Sequence, residues 1–386
     1  MLAAAVLRDL ASIAGSEARA ENAIRILVNG TESFGAMLEM VRTAACDLRL
    51  ENFIFRKDAV GGVFAEELRV RGEAGVRVRV LHDPVGAVMA RRRPVDLFFR
   101  GSPVAVRLFN VPLTGRGSRH LGRDHRKLVL ADRSRMVIGG ICLADPWAGN
   151  CIRHCTWRDS ALYVEGRVAG DAAAAFEEGW KHGWQLFRGP NGAEVEGERR
   201  PSRQAGGIPA RLVADLGRSR RTLPLLERVI DAAEAEVLIT TPYFIPPPPL
   251  ATALRRAVSR GVAVSVLIPG ASNHRVAALS GEHGLGSLLA CGVRVFLWQG
   301  AMIHAKSVVV DGLWTLVGSS NLDPLSLIRN AELNVEVHGS AVGRAMAELF
   351  REDCRESVQL TFTGWRKRAL RRRLAGRLAA GLSRWQ

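Results

Sequence analysis

Short segments rich in Val, Ile and Leu alternate along this chain with longer helical segments. The short segments have the composition of strands that are buried on both faces of a sheet. Helical segments are predicted at 62–75 and 249–261, and Gly75 and Gly261 are well placed to end them because each directly precedes a strand. The pattern therefore predicts an α/β protein with largely buried sheets.

The order of these segments is the same in both halves of the chain, so the sequence contains an internal repeat. The predicted strands of the first half are LRLENFIF (48–55), VRVRVL (76–81), VAVRLFN (104–110), RDHRKLVLAD (123–132) and MVIGG (136–140). Those of the second half are EVLITTPYFI (236–245), VAVSVLI (262–268), VRVFLW (293–298), MIHAKSVVVD (302–311) and TLVGSSN (315–321). We therefore expect a pseudo-twofold pair of α/β domains with mixed, mostly parallel sheets flanked by helices.

Composition suggests where these parts begin and end. The segment 188–209 is rich in Gly, Pro and charged residues, which is typical of a linker or surface loop. It separates an N-terminal half, 1–187, from a C-terminal half, 210–358. The remaining segment, 359–386, is a basic tail with a composition of its own.

The tail carries eight basic residues and no acidic ones from Gly364 onward. Its leucines recur at every fourth position: Leu370, Leu374, Leu378 and Leu382. A basic helix with an apolar stripe is typical of a segment that lies in a lipid interface. The alternative is a helix that packs on the protein and keeps its arginines in water.

The charge of the whole chain, +16 over 386 residues, indicates an anionic partner such as nucleic acid, a lipid surface or a phosphate-bearing substrate. No segment reaches the roughly 18 apolar residues of a membrane span. Arg8 and Asp9 interrupt the apolar N-terminal run, which argues against a signal peptide. Six cysteines without a disulfide-framework spacing indicate free thiols. These features predict a cytoplasmic protein that associates peripherally with the inner face of the cell membrane.

The strand–turn unit that closes each repeat contains the same motif, H-x-K-x4-D. Its copies are His125, Lys127 and Asp132 in the first half and His304, Lys306 and Asp311 in the second. Side chains two positions apart on a strand share a face, so the His and Lys of each copy point the same way. Two copies with equal spacing, at equivalent places in a repeat, are far more specific than one H-x-K.

These residue types suit the cleavage of a phosphodiester. An anionic substrate requires positive groups around its phosphoryl oxygens, a nucleophile, and an acid for the leaving alcohol. Because the pKa of histidine is about 6.5, one imidazole can attack while the other donates a proton. Lys127 and Lys306 can hold the non-bridging oxygens. The motifs require no metal or other cofactor, and we predict one active site shared by the two halves.

From about Ile24 to Glu356 the sequence resembles the phospholipase D superfamily, and within it the short bacterial cardiolipin synthases without N-terminal membrane spans. The matching segments include LENFIF, GVRVRVLHD, HRKLVLAD, TPYFIP, HAKSVVVDGLWTLVGSSNLDPLS and NAELN. The resemblance implies a phospholipase D-like fold and a phosphatidyltransferase that makes cardiolipin from phosphatidylglycerol through a phosphohistidine. We assign His125 as the nucleophile and His304 as the general acid and base, while the near-symmetry of the two motifs leaves the reverse order open.

The resemblance also implies supporting residues. Ser319 and Asn321 would hydrogen-bond the phosphate or a lysine side chain, and Glu332 would orient a catalytic imidazole. Asp159 would be the corresponding carboxylate of the first half. Cys142 departs from the family pattern, which often has Asn at that position, and so weakens the expected phosphate contact on that side.

Several alternatives remain open from the sequence alone. The same site would serve a phospholipase D or a nuclease, although the leucine-striped tail makes nucleic acid the less favoured partner. A basic membrane-binding protein that has lost catalysis is a third possibility. Cys142, Cys151, His154 and Cys155 match no standard zinc spacing, so we interpret them as free side chains in a loop. The run 90–101 is either a solvated loop or a second lipid-docking edge. The phosphatidyl acceptor and the oligomeric state are not predicted.

Overall fold

The computed structural model describes residues 3–89, 98–110, 122–149, 156–187, 207–368, 375–376 and 378–379. The N-terminal half contains α1 (Ala4–Ala14), β1 (Asn22–Val28), α2 (Asn29–Thr43), β2 (Asp47–Asn52), α3 (Ala59–Glu73), β3 (Arg77–His82), α4 (Pro84–Met89), β4 (Ala105–Phe109), β5 (Lys127–Ala131), β6 (Arg135–Gly139), β7 (Ser160–Gly166), α5 (Arg167–His182) and β8 (Gly183–Phe187). The C-terminal half contains β9 (Ala210–Asp215), α6 (Thr222–Asp231), β10 (Glu236–Thr240), α7 (Pro248–Ser259), β11 (Ala263–Pro269), α8 (Arg275–Ala290), β12 (Arg294–Trp298), β13 (Ser307–Val310), β14 (Trp314–Gly318), β15 (Glu332–His338), α9 (Ser340–Arg355), β16 (Ser357–Leu360) and α10 (Phe362–Arg366).

Each half forms one eight-stranded sheet, and the two sheets have the same topology. The strand order is β1-β7-β6-β5-β2-β3-β4-β8 in one and β9-β15-β14-β13-β10-β11-β12-β16 in the other. The predicted α/β repeat with mixed sheets is therefore confirmed. The expectation that parallel pairs predominate is wrong, because within the described strands only β2-β3-β4 and β10-β11-β12 run parallel. The strands that follow each H-x-K enter as antiparallel hairpins.

The two halves share a central core. Leu162 and Phe176 of the N-terminal half pack in the same buried cluster as Leu333 and Phe350 of the C-terminal half. A second core lies between the N-terminal sheet and α2 and α3, and a third between the C-terminal sheet and α6 and α7. This common core fixes the two halves against each other, which a site assembled from both of them requires.

Two predicted boundaries compare with the structure as follows. Strand β8 ends at Phe187 and β9 begins at Ala210, while most of the predicted linker between them, 188–206, lies outside the described residues. The predicted boundary after residue 358 falls inside β16, which pairs antiparallel with β12, so the tail begins after Leu360.

Other sequence-based predictions fall on parts of the chain that are not described. Cys151, His154 and Cys155 lie outside the described residues, as do 90–97 of the basic run and most of the tail beyond Arg368. Within the described ranges, no helix combines the length and the apolar composition needed to cross a bilayer.

Candidate active site

His125 lies immediately before β5, where the two halves meet. Its backbone N–H donates to the carbonyl oxygen of Ala331 at 3.0 Å, and Glu332 follows as the first residue of β15. The imidazole Nδ1 lies 3.0 Å from Oε1 of Glu332 and 3.2 Å from its Oε2. A carboxylate at Nδ1 favours the tautomer with the proton on that nitrogen and leaves the lone pair on Nε2.

His304 occupies the equivalent position before β13. Its backbone N–H donates to the carbonyl oxygen of Arg158 at 2.7 Å, and Asp159 follows Arg158 just before β7. The imidazole Nδ1 lies 3.0 Å from Oδ2 of Asp159. The arrangement is therefore crossed, because each half supplies the carboxylate that orients the histidine of the other.

The two lysines complete a buried cluster of four side chains. Lys127 Nζ donates to the carbonyl oxygen of His125. Lys306 Nζ donates to the carbonyl oxygen of His304 at 2.6 Å and lies 2.9 Å and 3.1 Å from Nδ1 and Nε2 of that imidazole. Lys306 also lowers the pKa of His125, and Lys127 lowers that of His304, so the two motifs share one electrostatic environment.

Burial and the neighbouring charges set the protonation of this cluster. Burial and the Lys306 ammonium lower the pKa of His304 to about 3. Burial also lowers the pKa of His125, although Glu332 opposes that shift. For Glu332 and Asp159 burial raises the pKa, but the facing histidines and the lysines outweigh it and hold both values below the usual range. In the unliganded protein the carboxylates are therefore ionised and the imidazoles neutral.

The two carboxylates are supported by different groups. Ser319 Oγ donates to Oε2 of Glu332 at 2.5 Å and accepts the backbone N–H of Leu333 at 2.9 Å. The equivalent residue of the first half is Gly140, where an added Cβ would overlap Oδ1 of Asp159. No hydroxyl fits at residue 140, so Asp159 needs a donor from elsewhere.

Trp147 supplies that donor, and sequence reasoning did not find it. Its indole Nε1 donates to Oδ2 of Asp159 at 2.9 Å, and its ring packs edge-on against His304 with 5.2 Å between centroids. The residue lies in a short 3-10 turn, Asp145–Trp147, and is fully buried. A single tryptophan in a loop has no periodicity or motif to mark it, so only the three-dimensional contact identifies it.

We expect the substitution Trp147→Phe to lower kcat about 10- to 100-fold, because a hydrogen bond to a buried carboxylate contributes roughly 1.5–3 kcal/mol. The phenyl ring keeps most of the packing but cannot donate to Asp159. Steady-state kinetics on the purified variant would measure the effect. Trp157→Phe is the matched control, because Trp157 packs on Trp147 at 4.4 Å between centroids while the bond to Asp159 stays intact. Equal losses in the two variants would contradict the assignment.

Asn321 and Cys142 occupy equivalent positions in the two halves. The residues after them, Leu322 and Leu143, form matching bridges to the segments that follow β10 and β2. The Asn321 side chain is buried, and within the described structure its Oδ1 has no hydrogen-bond partner. Burial raises the pKa of the Cys142 thiol, which therefore stays neutral. The site thus has on one side a buried amide whose unpaired oxygen can accept a hydrogen bond from a hydroxyl or lysine group, and on the other side a weakly polar thiol.

The structure does not bring the aspartates of the two motifs to this cluster. Asp132 and Asp311 directly follow the last residues of β5 and β13, and their backbone φ angles are positive, at 52° and 53° respectively. The Asp132 carboxylate accepts the backbone N–H groups of residues 45, 46 and 47 at 2.8 to 3.1 Å. The Asp311 carboxylate accepts those of residues 234, 235 and 236 at 2.8 to 3.0 Å. Both side chains anchor the start of the neighbouring strand. The shared motif spacing had suggested instead that these aspartates belong to the catalytic group with the histidines and lysines.

We therefore expect Asp132→Ala and Asp311→Ala to reduce stability rather than catalysis. Loss of the acceptor for three backbone donors should lower the free energy of unfolding by about 1–3 kcal/mol. Urea denaturation would measure this change, and kcat per folded molecule should stay within about twofold of wild type. A fully folded variant with kcat lowered by a factor of about 100 or more would return these residues to the catalytic group.

No three His, Cys, Asp or Glu side chains among the described residues are placed to hold a metal ion together. In this cluster the groups that can meet a substrate include the two imidazoles, the two lysine side chains and the Asn321 amide. Together they offer positive charge, a nucleophilic nitrogen and a proton donor at one point, which suits an anionic phosphodiester.

Comparison with known proteins agrees with this geometry. The family model described as "Cardiolipin synthase, PLD-like domain" matches residues 226–354. Cardiolipin synthase of Staphylococcus aureus (strain N315) is 26% identical over 353 residues, which are 91% of this chain and 71% of that protein. Cardiolipin synthase of Listeria welshimeri is 26% identical over the same length, with 91% of this chain and 72% of that protein covered.

The fold also matches a solved structure. Phosphatidylserine synthase of Haemophilus influenzae superimposes with a TM-score of 0.69 over 94% of this chain and 93% of that one, at 16% sequence identity. That likeness concerns the fold alone. In sequence, the chain is similar to bacterial cardiolipin synthases over 91% of its length, and its residues 226–354 match the PLD-like domain model.

Proposed function

We propose that this protein is a phosphatidyltransferase that makes cardiolipin and glycerol from two molecules of phosphatidylglycerol. The crossed pair of His–carboxylate contacts, with both lysines around it, is the observation that carries the proposal. Each imidazole is held by a carboxylate through Nδ1, which leaves Nε2 as the nitrogen that would meet a phosphoryl group, and Lys306 Nζ lies 3.1 Å from Nε2 of His304. The relatives named cardiolipin synthase support this choice of substrate.

The reaction proceeds in two displacements. In the first, Nε2 of one histidine attacks phosphorus, the phosphorus–oxygen bond to glycerol breaks, and the second histidine gives its proton to the departing oxygen. In the second, the hydroxyl group of another phosphatidylglycerol gives its proton to that histidine and attacks phosphorus, which breaks the phosphorus–nitrogen bond. Lys127 and Lys306 stabilise the charge on the non-bridging oxygens in both steps.

The order of the two histidines is a further part of the proposal. From the sequence we assign His125 as nucleophile and His304 as acid and base. The charges of the unliganded site allow either order, because burial and the lysines lower the pKa of both imidazoles. A neutral imidazole is the attacking species. Peptide mapping of the trapped phosphohistidine decides between the two orders.

Substrate binding should bring a proton into the site. Burial lowers the pKa of Lys306 to about 7, and the pKa of both histidines is also lowered, so none of these groups is fully protonated above neutral pH. A bound anion raises these pKa values, so we expect uptake of about one proton per sulfate ion bound at pH 8. Calorimetry in buffers with different ionisation enthalpies measures this number, and Lys306→Met should reduce it. Binding heats that do not depend on the buffer would contradict the expectation.

We place the reaction at an anionic membrane surface, on the inner face of the cell membrane. The net charge of +16 favours such a surface. Of the described tail residues, Phe362 and Leu378 expose apolar side chains, and Leu378 is 73% exposed. Trp365, in contrast, is docked on α8, so at this point the tail packs on the protein. We propose that exposed residues of the tail beyond Trp365, Leu378 among them, make the membrane contact.

The function is tested with purified protein and phosphatidylglycerol vesicles, with the products identified by mass spectrometry. Cardiolipin together with glycerol is the expected result. Phosphatidic acid alone would make the protein a phospholipase D, and cleavage of DNA without lipid turnover would make it a nuclease. No turnover of any phosphodiester would support the non-catalytic alternative.

A further inference from the structure

A large, mostly apolar cavity lies in the C-terminal half of the protein. Its volume is about 980 Å³, near the upper end of the range of roughly 300–1,000 Å³ found for small-molecule sites. Its walls come from α8, from the loop after β10 and from the tail, and they include the side chains of Ile268, Leu279, Leu285, Leu297 and Leu360. We call it the α8 cavity.

The loop that forms one wall of the α8 cavity also borders the active site. Thr241 Oγ1 donates to the carbonyl oxygen of Tyr243 at 3.2 Å and accepts the backbone N–H of Leu322, the residue after Asn321, at 3.3 Å. Tyr243 lines the cavity, and its hydroxyl donates to Oδ1 of Asn273 at 2.7 Å. The loop after β10 therefore joins one wall of the cavity to the segment that carries Asn321.

The tail closes the opposite side of the cavity. Trp365 Nε1 donates to the carbonyl oxygen of Glu282 at 2.6 Å, and the indole packs where Gly286 has no side chain. The Arg368 guanidinium lies over the Trp365 ring at 4.4 Å and pairs with Glu282 at 3.1 Å. Ala375, further along the tail, also lines the cavity.

The rim of the cavity is both apolar and cationic. Val276, on the first turn of α8, is 52% exposed, and the neighbouring Arg275 is among the lining residues. Gly376 packs against Leu279 of α8, and Leu378, two residues further along the tail, is 73% exposed. A rim of this kind matches the boundary between anionic headgroups and hydrocarbon.

We propose that the α8 cavity receives one acyl chain of the phospholipid whose phosphate group is bound at the His–Lys cluster. The proposal rests on the proposed phosphatidyl transfer and adds to it the element that recognises lipid. An apolar cavity stabilises a hydrocarbon chain by removing it from water, and a nucleic acid strand offers no group that would fill it. The substrate class that fits both the cluster and the cavity is a long-chain diacyl phosphodiester.

The test fills the cavity from two independent walls. Ala278→Trp acts from α8 and Ala375→Trp from the tail, and both residues line the cavity. We expect each to lower kcat/KM for long-chain phosphatidylglycerol about tenfold or more, and to change kcat/KM for bis(p-nitrophenyl) phosphate by less than about twofold. Ser287→Trp is the matched control, because Ser287 is an exposed residue of α8 that does not line the cavity. The soluble diester also reports whether each variant is folded.

A binding measurement separates this proposal from the proposed function. Native mass spectrometry of a His304→Ala protein should detect bound long-chain phosphatidylglycerol, and adding Ala278→Trp or Ala375→Trp should remove that adduct while Ser287→Trp keeps it. If the wild-type protein makes no cardiolipin, the proposed function is rejected. If the filled variants nevertheless lose the lipid adduct, the proposal that the α8 cavity binds an acyl chain is still supported. Equal losses on the lipid and the soluble diester, or an adduct that persists in both filled variants, would overturn the proposal.

Discussion

Replacing His125 or His304 with alanine is expected to lower kcat for phosphatidyl transfer by about 10⁴-fold or more, since members of such a catalytic unit are each indispensable to the chemical step. Without the nucleophilic imidazole no phosphorus–nitrogen bond forms. Without the other imidazole the glycerol oxygen departs as an alkoxide. Both residues are buried, with 9% of His125 and 5% of His304 exposed, so bulk water cannot readily take over either role.

The double variant should be no slower than the slower single variant, because the two groups act in the same step. His182→Ala, at the exposed end of α5, is the control for removal of a histidine that lies away from the site. The measurement is product formation from phosphatidylglycerol under single-turnover conditions. Residual activity within about tenfold of wild type in either single variant would mean that the two imidazoles do not act on one phosphorus atom.

Trapping distinguishes the two histidines from each other. An alkaline quench of the reaction with labelled lipid preserves a phosphorus–nitrogen bond, which acid would break. The label should remain on the variant that keeps the nucleophile and be absent from the other. The expected outcome is one labelled peptide, containing either residue 125 or residue 304, and labelling of both would contradict a fixed order.

The central strands of each sheet could be predicted from the sequence because they are buried on both faces. Segments such as VRVRVL and VAVSVLI match β3 and β11 within one or two residues. The repeated order of elements then gave the two-domain α/β arrangement. The order of segments along the chain does not determine the direction of each strand in the sheet. The antiparallel pairing of β5 with β2 and of β13 with β10 was therefore not predicted.

The strands at the edge of this pattern were missed for a different physical reason. Strand β15 has the sequence ELNVEVH, and its polar residues Glu332, Asn334 and Glu336 are all buried. Glu336 pairs with Arg211 of β9 at 2.5 Å inside the protein. Alternation of polar and apolar residues normally predicts a strand with one face in solvent. A strand whose polar residues are buried in ion pairs has the same sequence pattern, so the sequence does not reveal that it is buried.

The pairing of carboxylates with histidines also lay beyond sequence reasoning. Glu332 and Asp159 were identified as orienting residues, but either could have served the histidine of its own half. The choice is made by two short bridges across the interface, Asp124 with Ala331 and Arg158 with Ile303. Their register depends on how the two halves pack, and the internal spacing of each motif carries no information about it.

Replacing Asp159 with asparagine or Glu332 with glutamine is expected to lower kcat about 10³- to 10⁴-fold with little change in the fold, as loss of an orienting carboxylate does in other histidine-based sites. The amide can donate to Nδ1, which moves the imidazole proton to Nε2 and removes the lone pair that must attack or accept. The carboxylates also raise the pKa of their histidines, so neutralising them makes the protonated form of the acid harder to reach. Asp132→Asn, a neutralised carboxylate outside the cluster, is the matched control.

The crossed arrangement also predicts which histidine each carboxylate substitution affects, which is a more specific test than the loss of kcat. In protein labelled with ¹⁵N at histidine, Asp159→Asn should change the tautomer signals of His304 and leave those of His125 close to wild type. Glu332→Gln should do the reverse, because the contacts of 3.0 Å run from each carboxylate to the histidine of the other half. If each substitution instead altered the histidine of its own half, the two domains would be packed in a different register. The single shared site would then have to be abandoned, even if both variants were inactive.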